Sequence, residues 1–186
     1  MSTAPSQPRS NARIIIVMGV SSSGKSTTGQ SIARRLHTPF LDGDGYHPPA
    51  NVEKMRAGIP LVDEDRWPWL QRLAQALHEA ADKKGAAVGA CSSLKRAYRD
   101  YLLEQAGEPI LFVYLQGDRQ VIGERMARRQ HEYMPASLLD SQFATLEEPD
   151  PATENVLVVP VTDSVEKITT TVTKTLEHLK TFKRWQ

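Results

Sequence analysis

The chain has 186 residues, 40% of them hydrophobic and 24% charged, which is typical of one globular domain. Its 23 lysines and arginines against 22 aspartates and glutamates leave a formal net charge of +1, so there is no global basic field and nucleic-acid binding would need a local patch. The single cysteine excludes an internal disulfide, and no apolar stretch approaches the roughly 20 residues of a membrane-spanning helix.

These features predict a cytoplasmic protein whose partner is neither a nucleic acid nor a membrane. Residues 1–12 are polar, contain two prolines and lack the apolar core of a secretory signal. We therefore expect a flexible N-terminal tail over residues 1–12, followed by one domain over residues 13–182.

Five short apolar runs predict β-strands. Several of them are rich in valine and isoleucine without polar alternation, as in strands that are buried on both faces of a parallel sheet. The predicted strands are Arg13–Met18, Phe40–Asp42, Ala86–Cys91, Ile110–Leu115 and Val156–Pro160.

Longer segments between these runs carry helical spacing or helix-start signals. They predict helices at Lys25–His37, Pro48–Ala57, Pro68–Lys83, Ser93–Gln105, Asp118–His131, Ser137–Glu147 and Ser164–Lys180. Asp163 and Glu166 resemble a capping box for the last helix. Alternating strands and helices predict a three-layer α/β domain with a five-stranded parallel sheet flanked by helices.

The segment GVSSSGKS, Gly19–Ser26, fits the pattern G-x-x-x-x-G-K-[ST] between the first strand and the first helix. Backbone N–H groups of such a loop face phosphate oxygens, the lysine neutralises the β- and γ-phosphates, and the serine hydroxyl binds Mg²⁺. We expect a nucleotide to be bound here, with the metal at Ser26. The expected nucleotide-binding residues are Gly19, Ser21, Ser22, Ser23, Gly24, Lys25, Ser26 and Thr27.

A short acidic motif, DGDGYHP, follows the second predicted strand. The carboxyl ends of parallel strands line the ligand crevice, so Asp42 and Asp44 are expected beside the phosphate loop. We predict that Asp42 contacts Mg²⁺ through water and that Asp44 orients or deprotonates an acceptor hydroxyl. The alternative is an Asp-Gly turn with solvated acids. His47 could bind a polyol or cap the next helix.

Three longer segments resemble one family closely: FLDGDGYHPPANVEKMRAGIPLVDEDRWPWLQRL, CSSLKRAYRDYL and QFATLEEP are similar to the motifs of gluconate kinases (gluconokinases). The resemblance runs from about Ile14 to about Leu179. It implies a phosphate-loop NTPase fold related to shikimate and nucleoside-monophosphate kinases, with a helical lid and commonly a homodimer. It further implies transfer of a phosphoryl group from MgATP to the C6 hydroxyl of D-gluconate, feeding the pentose phosphate pathway.

Two positions depart from the family pattern. Ser22 stands where the family loop usually has glycine, and Ser93 stands where it often has alanine. The position of Ser22 is variable in the general phosphate-loop pattern, so we expect nucleotide binding to be retained.

A site for an open-chain sugar acid needs cations for the carboxylate and hydrogen-bonding groups for the hydroxyls. The expected cations are Arg66, Lys95 and Arg99, and the last two are predicted to share one helix face. His47, Asn51, Asp65 and Ser92 are expected to serve the hydroxyls. Without the resemblance, solvated helix surfaces would be the favoured interpretation of these charges.

Arginines after the fourth strand predict a lid over about residues 125–147. Arg125 and Arg129 lie one helical turn apart and are expected to contact the ATP phosphates, with Arg125 also catalytic and Arg128 as the alternate. The rival hypotheses are a kinase for another small acceptor, such as shikimate or a nucleotide, and a non-catalytic nucleotide-binding regulator.

Overall fold

A computed structural model describes residues 11–128 and 136–179 of the chain. Its centre is a parallel sheet of five strands in the order β2-β3-β1-β4-β5. The strands are β1 Ile14–Met18, β2 Phe40–Asp42, β3 Ala87–Ala90, β4 Ile110–Gln116 and β5 Val156–Pro160. The five-stranded parallel sheet that the sequence predicts is confirmed, and every strand begins and ends within one residue of its predicted bounds.

The sheet is covered on both faces, which explains the continuous apolar strands. All five residues of β1 are buried. Ile15 and Val17 belong to one core with Ile32 and Val172, while Ile14 and Ile16 belong to the core on the opposite face. The domain therefore has three layers, and the end of the central strand β1 lies in the middle of the sheet edge.

Seven α-helices occur in the described residues. They are α1 Lys25–Leu36, α2 Pro49–Arg56, α3 Asp63–Lys84, α4 Arg96–Ala106, α5 Arg119–Arg128, α6 Ala136–Thr145 and α7 Val165–His178. A short 3₁₀ helix, Gly43–Tyr46, follows β2 directly.

Two helices start several residues away from the predicted position, and a third has a different N-cap. Helix α3 begins at Asp63 and contains Pro68, because the acidic residues of its first turn suit a helix N-terminus and Asp65 accepts a hydrogen bond from the Val62 N–H. Helix α4 begins at Arg96 because Lys95 is still extended. Helix α7 is capped by Ser164, which accepts from the Lys167 N–H, so the predicted cap by Asp163 is wrong.

Parts of two predicted regions lie outside the described residues. Most of the expected tail, Arg129 and the middle of the expected lid belong to them. Within residues 11–128 and 136–179, no helix is both long enough and apolar enough to cross a membrane.

Candidate functional site

The phosphate loop Gly19–Ser26 connects the buried strand β1 to helix α1. Gly24 begins the helix in the left-handed region at φ 95°, and Gly19 has φ 147°. A Cβ atom on Gly19 would lie 2.9 Å from Ser23 Oγ and 3.2 Å from the Leu115 carbonyl oxygen. The loop thus needs glycine at both ends to turn tightly in front of the N-terminus of α1.

Two residues of this loop are held in a distinctive way, Lys25 by a hydrogen bond and Ser22 by its backbone conformation. Lys25 donates from Nζ to the Val20 carbonyl at 3.0 Å, which keeps its charge against the loop. Ser22 has φ 63°, a left-handed conformation that favours glycine. This conformation gives a physical reason for the glycine that the family usually has there.

A hydroxyl and a carboxylate meet at the start of α1. Ser26 Oγ donates to Asp42 Oδ2 at 2.8 Å, and Asp42 Oδ1 accepts from the Asp44 N–H at 3.1 Å. Hard oxygen donors beside a phosphate loop match the ligand chemistry of Mg²⁺. The residues present therefore fit the predicted magnesium site, in which Ser26 would be a ligand and Asp42 would contact the metal through water.

The acidic turn is held tightly against the sheet. A Cβ atom on Gly43 would come within 2.4 Å of the Ala90 carbonyl oxygen, so only glycine fits. Trp69 Nε1 donates to the Gly43 carbonyl at 2.7 Å from the buried face of α3. These contacts fix the 3₁₀ helix that carries Asp44, and they put Asp44 at the carboxyl end of β2, next to the Ser26–Asp42 pair.

His47 and Asn51 extend the site from Asp44 toward helix α3. The imidazole of His47 stacks on Trp69 at 4.1 Å between ring centroids, and its Nδ1 lies 3.3 Å from Asn51 Nδ2. Burial, and secondarily the positive charge of Arg66, lowers the pKa of His47 to about 4, so the ring is uncharged at neutral pH. Asn51 is buried and donates to the Asp65 carbonyl at 2.8 Å.

Four polar side chains form what we call the cation cluster: Asp63, Arg66, Lys95 and Tyr98. Lys95 Nζ lies 3.0 Å from an Asp63 oxygen, and Tyr98 donates to the same carboxylate. Both cations lie 5.5 Å from the centroid of the Tyr98 ring. Hydrogen bonds from Tyr98 and Lys95 hold the pKa of Asp63 below its ordinary value.

Arg66 and Lys95 were predicted for this site, but Asp63 and Tyr98 were not. The sequence places Asp63 in an acidic run and gives no sign that a tyrosine 35 residues later would bond to it. Arg66 donates from Nη2 to the Leu61 carbonyl, and its buried Nε has no hydrogen-bond partner within the described part of the chain. That N–H is therefore a buried donor whose hydrogen bond is not satisfied by the described residues.

Asp65 and Ser92 lie close to the predicted site, and each accepts hydrogen bonds within the protein, Asp65 through its side chain and Ser92 through its carbonyl. Both carboxylate oxygens of Asp65 accept from Lys54 Nζ, at 2.7 and 2.8 Å, which ties α2 to α3. The Ser92 carbonyl accepts from the Gly19 N–H at 3.3 Å, so the segment after β3 touches the phosphate loop. Their assignment to substrate hydroxyls stays a prediction.

The structure contradicts the expectation that Arg99 is available to a substrate carboxylate. Its side chain is 1% exposed and pairs with Glu154 at 2.6 Å through Nε and 3.1 Å through Nη2. Its Nη1 donates to the carbonyls of Ser93 and Leu94. Lys95 precedes α4 in an extended conformation, so the two residues do not share a helix face as predicted. Arg99 is a structural residue.

A cavity of about 650 Å³ lies on the other side of the phosphate loop, where β4 and β5 end. Apolar side chains of Val121, Phe143, Leu146 and Val161 line it together with polar groups such as Glu148. A planar heterocycle with polar edges suits such a lining. Arg125 donates from Nη2 to the Val161 carbonyl at this cavity. Its predicted contact with phosphates, and that of Arg129 outside the described residues, stay predictions.

Comparisons with known proteins show which family the chain belongs to. The family model described as AAA domain matches residues 14–149. The thermoresistant gluconokinase of Escherichia coli strain K12 is 43% identical over 168 residues, which cover 90% of this chain and 93% of that protein. The chain belongs to the gluconokinase family.

Solved structures agree with this gluconokinase assignment. A gluconokinase from Sinorhizobium meliloti 1021 superposes with a TM-score of 0.80 at 42% identity, covering 92% of this chain and 95% of that one. A shikimate kinase from Aquifex aeolicus gives a TM-score of 0.58 at 17% identity, covering 88% and 96%. The second likeness concerns the fold alone, and it confirms the three-layer kinase fold that the sequence predicts.

Proposed function

We propose that this chain transfers the γ-phosphoryl group of ATP to the C6 hydroxyl of D-gluconate, which gives 6-phospho-D-gluconate and ADP. One observation carries the proposal. The Ser26–Asp42 hydrogen bond joins the phosphate loop to the acidic turn, and the same turn carries Asp44 toward His47 and the cation cluster. A phosphate donor and a polyol acceptor can thus meet at one point.

The nucleotide is proposed to lie across the sheet edge. Its base occupies the cavity beyond β4 and β5, and its phosphates lie along the phosphate loop, where backbone N–H groups and Lys25 neutralise their charge. Ser26, and Asp42 through water, would hold Mg²⁺, which would supply further neutralisation of the phosphate charge.

The acceptor is proposed to lie on the side of β2 and β3. Arg66 and Lys95 bind the carboxylate of gluconate, while His47 and Asn51 bind hydroxyls along its chain. Asp44 orients the C6 hydroxyl and accepts its proton as the hydroxyl oxygen bonds to the γ-phosphorus and the bond from that phosphorus to ADP breaks. Because phosphoryl transfer depends mainly on positioning and charge neutralisation, a carboxylate of ordinary basicity suffices.

The function is tested by ADP release from ATP with D-gluconate, shikimate or a nucleoside monophosphate as acceptor. We expect ADP release with D-gluconate to exceed the acceptor-free control by orders of magnitude. A preference for shikimate or a nucleotide would instead support a kinase for another acceptor, and no stimulation by any acceptor would support a nucleotide-binding regulator.

Asp44→Asn tests the mechanism, because the amide keeps the shape of the carboxylate and loses its basicity. We expect kcat to fall about 100-fold or more while the affinity for nucleotide changes little. Asp100→Asn is the matched control, since this carboxylate is exposed and pairs with Arg96 on the outer face of α4. Retention of turnover by Asp44→Asn would remove Asp44 from the mechanism.

The compartment and the assembly remain parts of this proposal. Burial raises the pKa of the Cys91 thiol, so the single cysteine is an inert core residue that suits the reducing cytoplasm. We expect a homodimer, as the family resemblance implies, and sedimentation of the purified protein would test it.

A further inference from the structure

The family motif QFATLEEP contacts both halves of the candidate site, yet the proposed reaction assigns it no role. Its first residue, Gln142 on α6, bonds to the phosphate loop. The Ser21 N–H donates to Gln142 Oε1 at 2.6 Å, and Gln142 Nε2 lies 3.3 Å from Ser21 Oγ. Both the backbone and the side chain of Ser21 are thus tied to α6.

Glu147 in the same motif bonds on both sides of Lys95. Its N–H donates to the Leu94 carbonyl at 2.8 Å, and its Oε2 accepts from the Arg96 N–H at 2.8 Å. Lys95 is the N-cap residue of α4, and within the described structure its own side chain makes no capping bond. Glu147 therefore caps α4 from a distant part of the chain, with a negative charge at the helix N-terminus.

The two ends of the motif are connected through the last helical turn of α6. The Leu146 N–H donates to the Gln142 carbonyl at 2.9 Å, which continues the helical turn up to Glu147. Glu148 then accepts from Tyr114 at 2.9 Å and from Gln116 at 3.2 Å, so the segment is also fastened to the end of β4. The contact of Gln142 with the phosphate loop and the cap on α4 therefore lie on one hydrogen-bonded segment, along which a shift at one end can reach the other.

We propose that Glu147 is a positioning residue for Lys95 and that Gln142 makes this position depend on the phosphate loop. The inference rests on the proposed function, in which Lys95 binds the carboxylate of gluconate. Lys95 has a long, flexible side chain, and its charge is useful only if the start of α4 is held in one place. Glu147 holds it by bonding to both neighbouring residues.

The first experiment compares Glu147→Ala and Glu147→Gln in steady-state kinetics. We expect Glu147→Ala to raise the KM for gluconate about tenfold and to change the KM for ATP less than about twofold. Glu147→Gln retains an oxygen that accepts from the Arg96 N–H, so it should recover most of the affinity for gluconate. Because one cap is a small part of the folding free energy, both variants are expected to fold.

Ser164→Ala is the matched control for stability. It removes the side-chain cap of α7, which accepts from the Lys167 N–H at 3.1 Å and lies on the opposite face of the sheet from α4. We expect its Tm to fall about as much as that of Glu147→Ala, with no change in the KM for gluconate. If Glu147→Ala also lowers Tm without raising that KM, Glu147 is merely structural and the inference is overturned.

The second experiment tests the role of Gln142 through binding of a fluorescent ADP analogue with and without saturating gluconate. In the wild type we expect gluconate to change the affinity for the analogue several-fold, and in Gln142→Ala we expect this difference to disappear. A difference that persists in Gln142→Ala, or is absent from the wild type, overturns the coupling. Wild-type protein that does not phosphorylate gluconate would instead refute the proposed function, and the inference with it.

Discussion

Glu154→Gln tests the reassignment of Arg99 from substrate binding to structure. In the wild type the carboxylate of Glu154 is 8% exposed and accepts two hydrogen bonds from the guanidinium of Arg99, which is 1% exposed. The amide of the variant cannot neutralise that charge, and its NH₂ group would face another donor. Arg99 would then remain buried with its bonds to Ser93 and Leu94 but without a counter-ion.

The magnitude follows from the burial of the pair. Removing one partner of a buried ion pair costs about 3–5 kcal/mol, because the remaining charge stays in a medium of low dielectric constant. Since the glutamine still offers one accepting oxygen, we expect about 3 kcal/mol of lost stability for this variant. For a domain of this size, such a loss corresponds to a fall in Tm of roughly 6–12 °C.

The assay combines urea unfolding of the variant with steady-state kinetics well below its Tm. We expect the free energy of unfolding to fall while the KM for gluconate changes little. If the variant kept wild-type stability and bound gluconate more tightly, Arg99 would be a substrate-binding cation that Glu154 merely holds in the free enzyme. The double variant Arg99→Met, Glu154→Leu should regain part of the loss, because it leaves no charge buried.

The pH dependence gives an independent check on the same pair. Burial alone would raise the pKa of Glu154, but the hydrogen bonds from Arg99 and from the Asp150 N–H outweigh it and hold the pKa below the ordinary value of 4.5. A carboxylate with a lowered pKa in the folded state stabilises the fold above the unfolded-state pKa. The stability difference between wild type and Glu154→Gln should therefore be complete at pH 7 and decrease below about pH 4.5.

Three further predictions concern the loop, the histidine and the acidic turn. Ser22→Gly should change stability by less than about 1 kcal/mol, because relief of the left-handed strain is offset by the entropy of glycine in the unfolded chain, and urea unfolding would check it. His47 has a pKa of about 4 in the folded state, so it should stabilise the fold increasingly from pH 4 to pH 6.5, and His47→Gln should lose this dependence in thermal unfolding. Gly43→Ala should cost about 1–3 kcal/mol and reduce kcat, while Gly45→Ala, whose Cβ would meet nothing within 4 Å, should resemble the wild type in both assays.

The sheet and the phosphate loop could be predicted because their determinants are local. Strand β1 is apolar along its whole length, and the glycines of the loop that follows it have positive φ angles. In both cases a pattern within about ten consecutive residues was enough to predict the structure. The position of Asp42 beside Ser26 also followed from topology, since the carboxyl ends of parallel strands share one edge.

The roles of Arg99, Asp63 and Glu147 could not be predicted because their partners are distant in the sequence. Glu154 lies 55 residues after Arg99, and the Arg96 N–H lies 51 residues before Glu147. A charged residue at helical spacing gives the same pattern whether it faces solvent, a ligand or a buried counter-ion. For Arg99, only the packing of the segment before β5, which carries Glu154, against α4 distinguishes a buried counter-ion from solvent or a ligand.

The order β2-β3-β1-β4-β5 also has an evolutionary consequence. The groups proposed to contact the acceptor lie in one continuous stretch, residues 44–98, whereas the proposed base pocket is built from residues 116–162. Mutations in the first stretch can alter the choice of acceptor while the nucleotide half stays intact. A kinase of this layout can therefore acquire a new acceptor by local sequence drift, and selection for ATP use need not be relaxed while it does so.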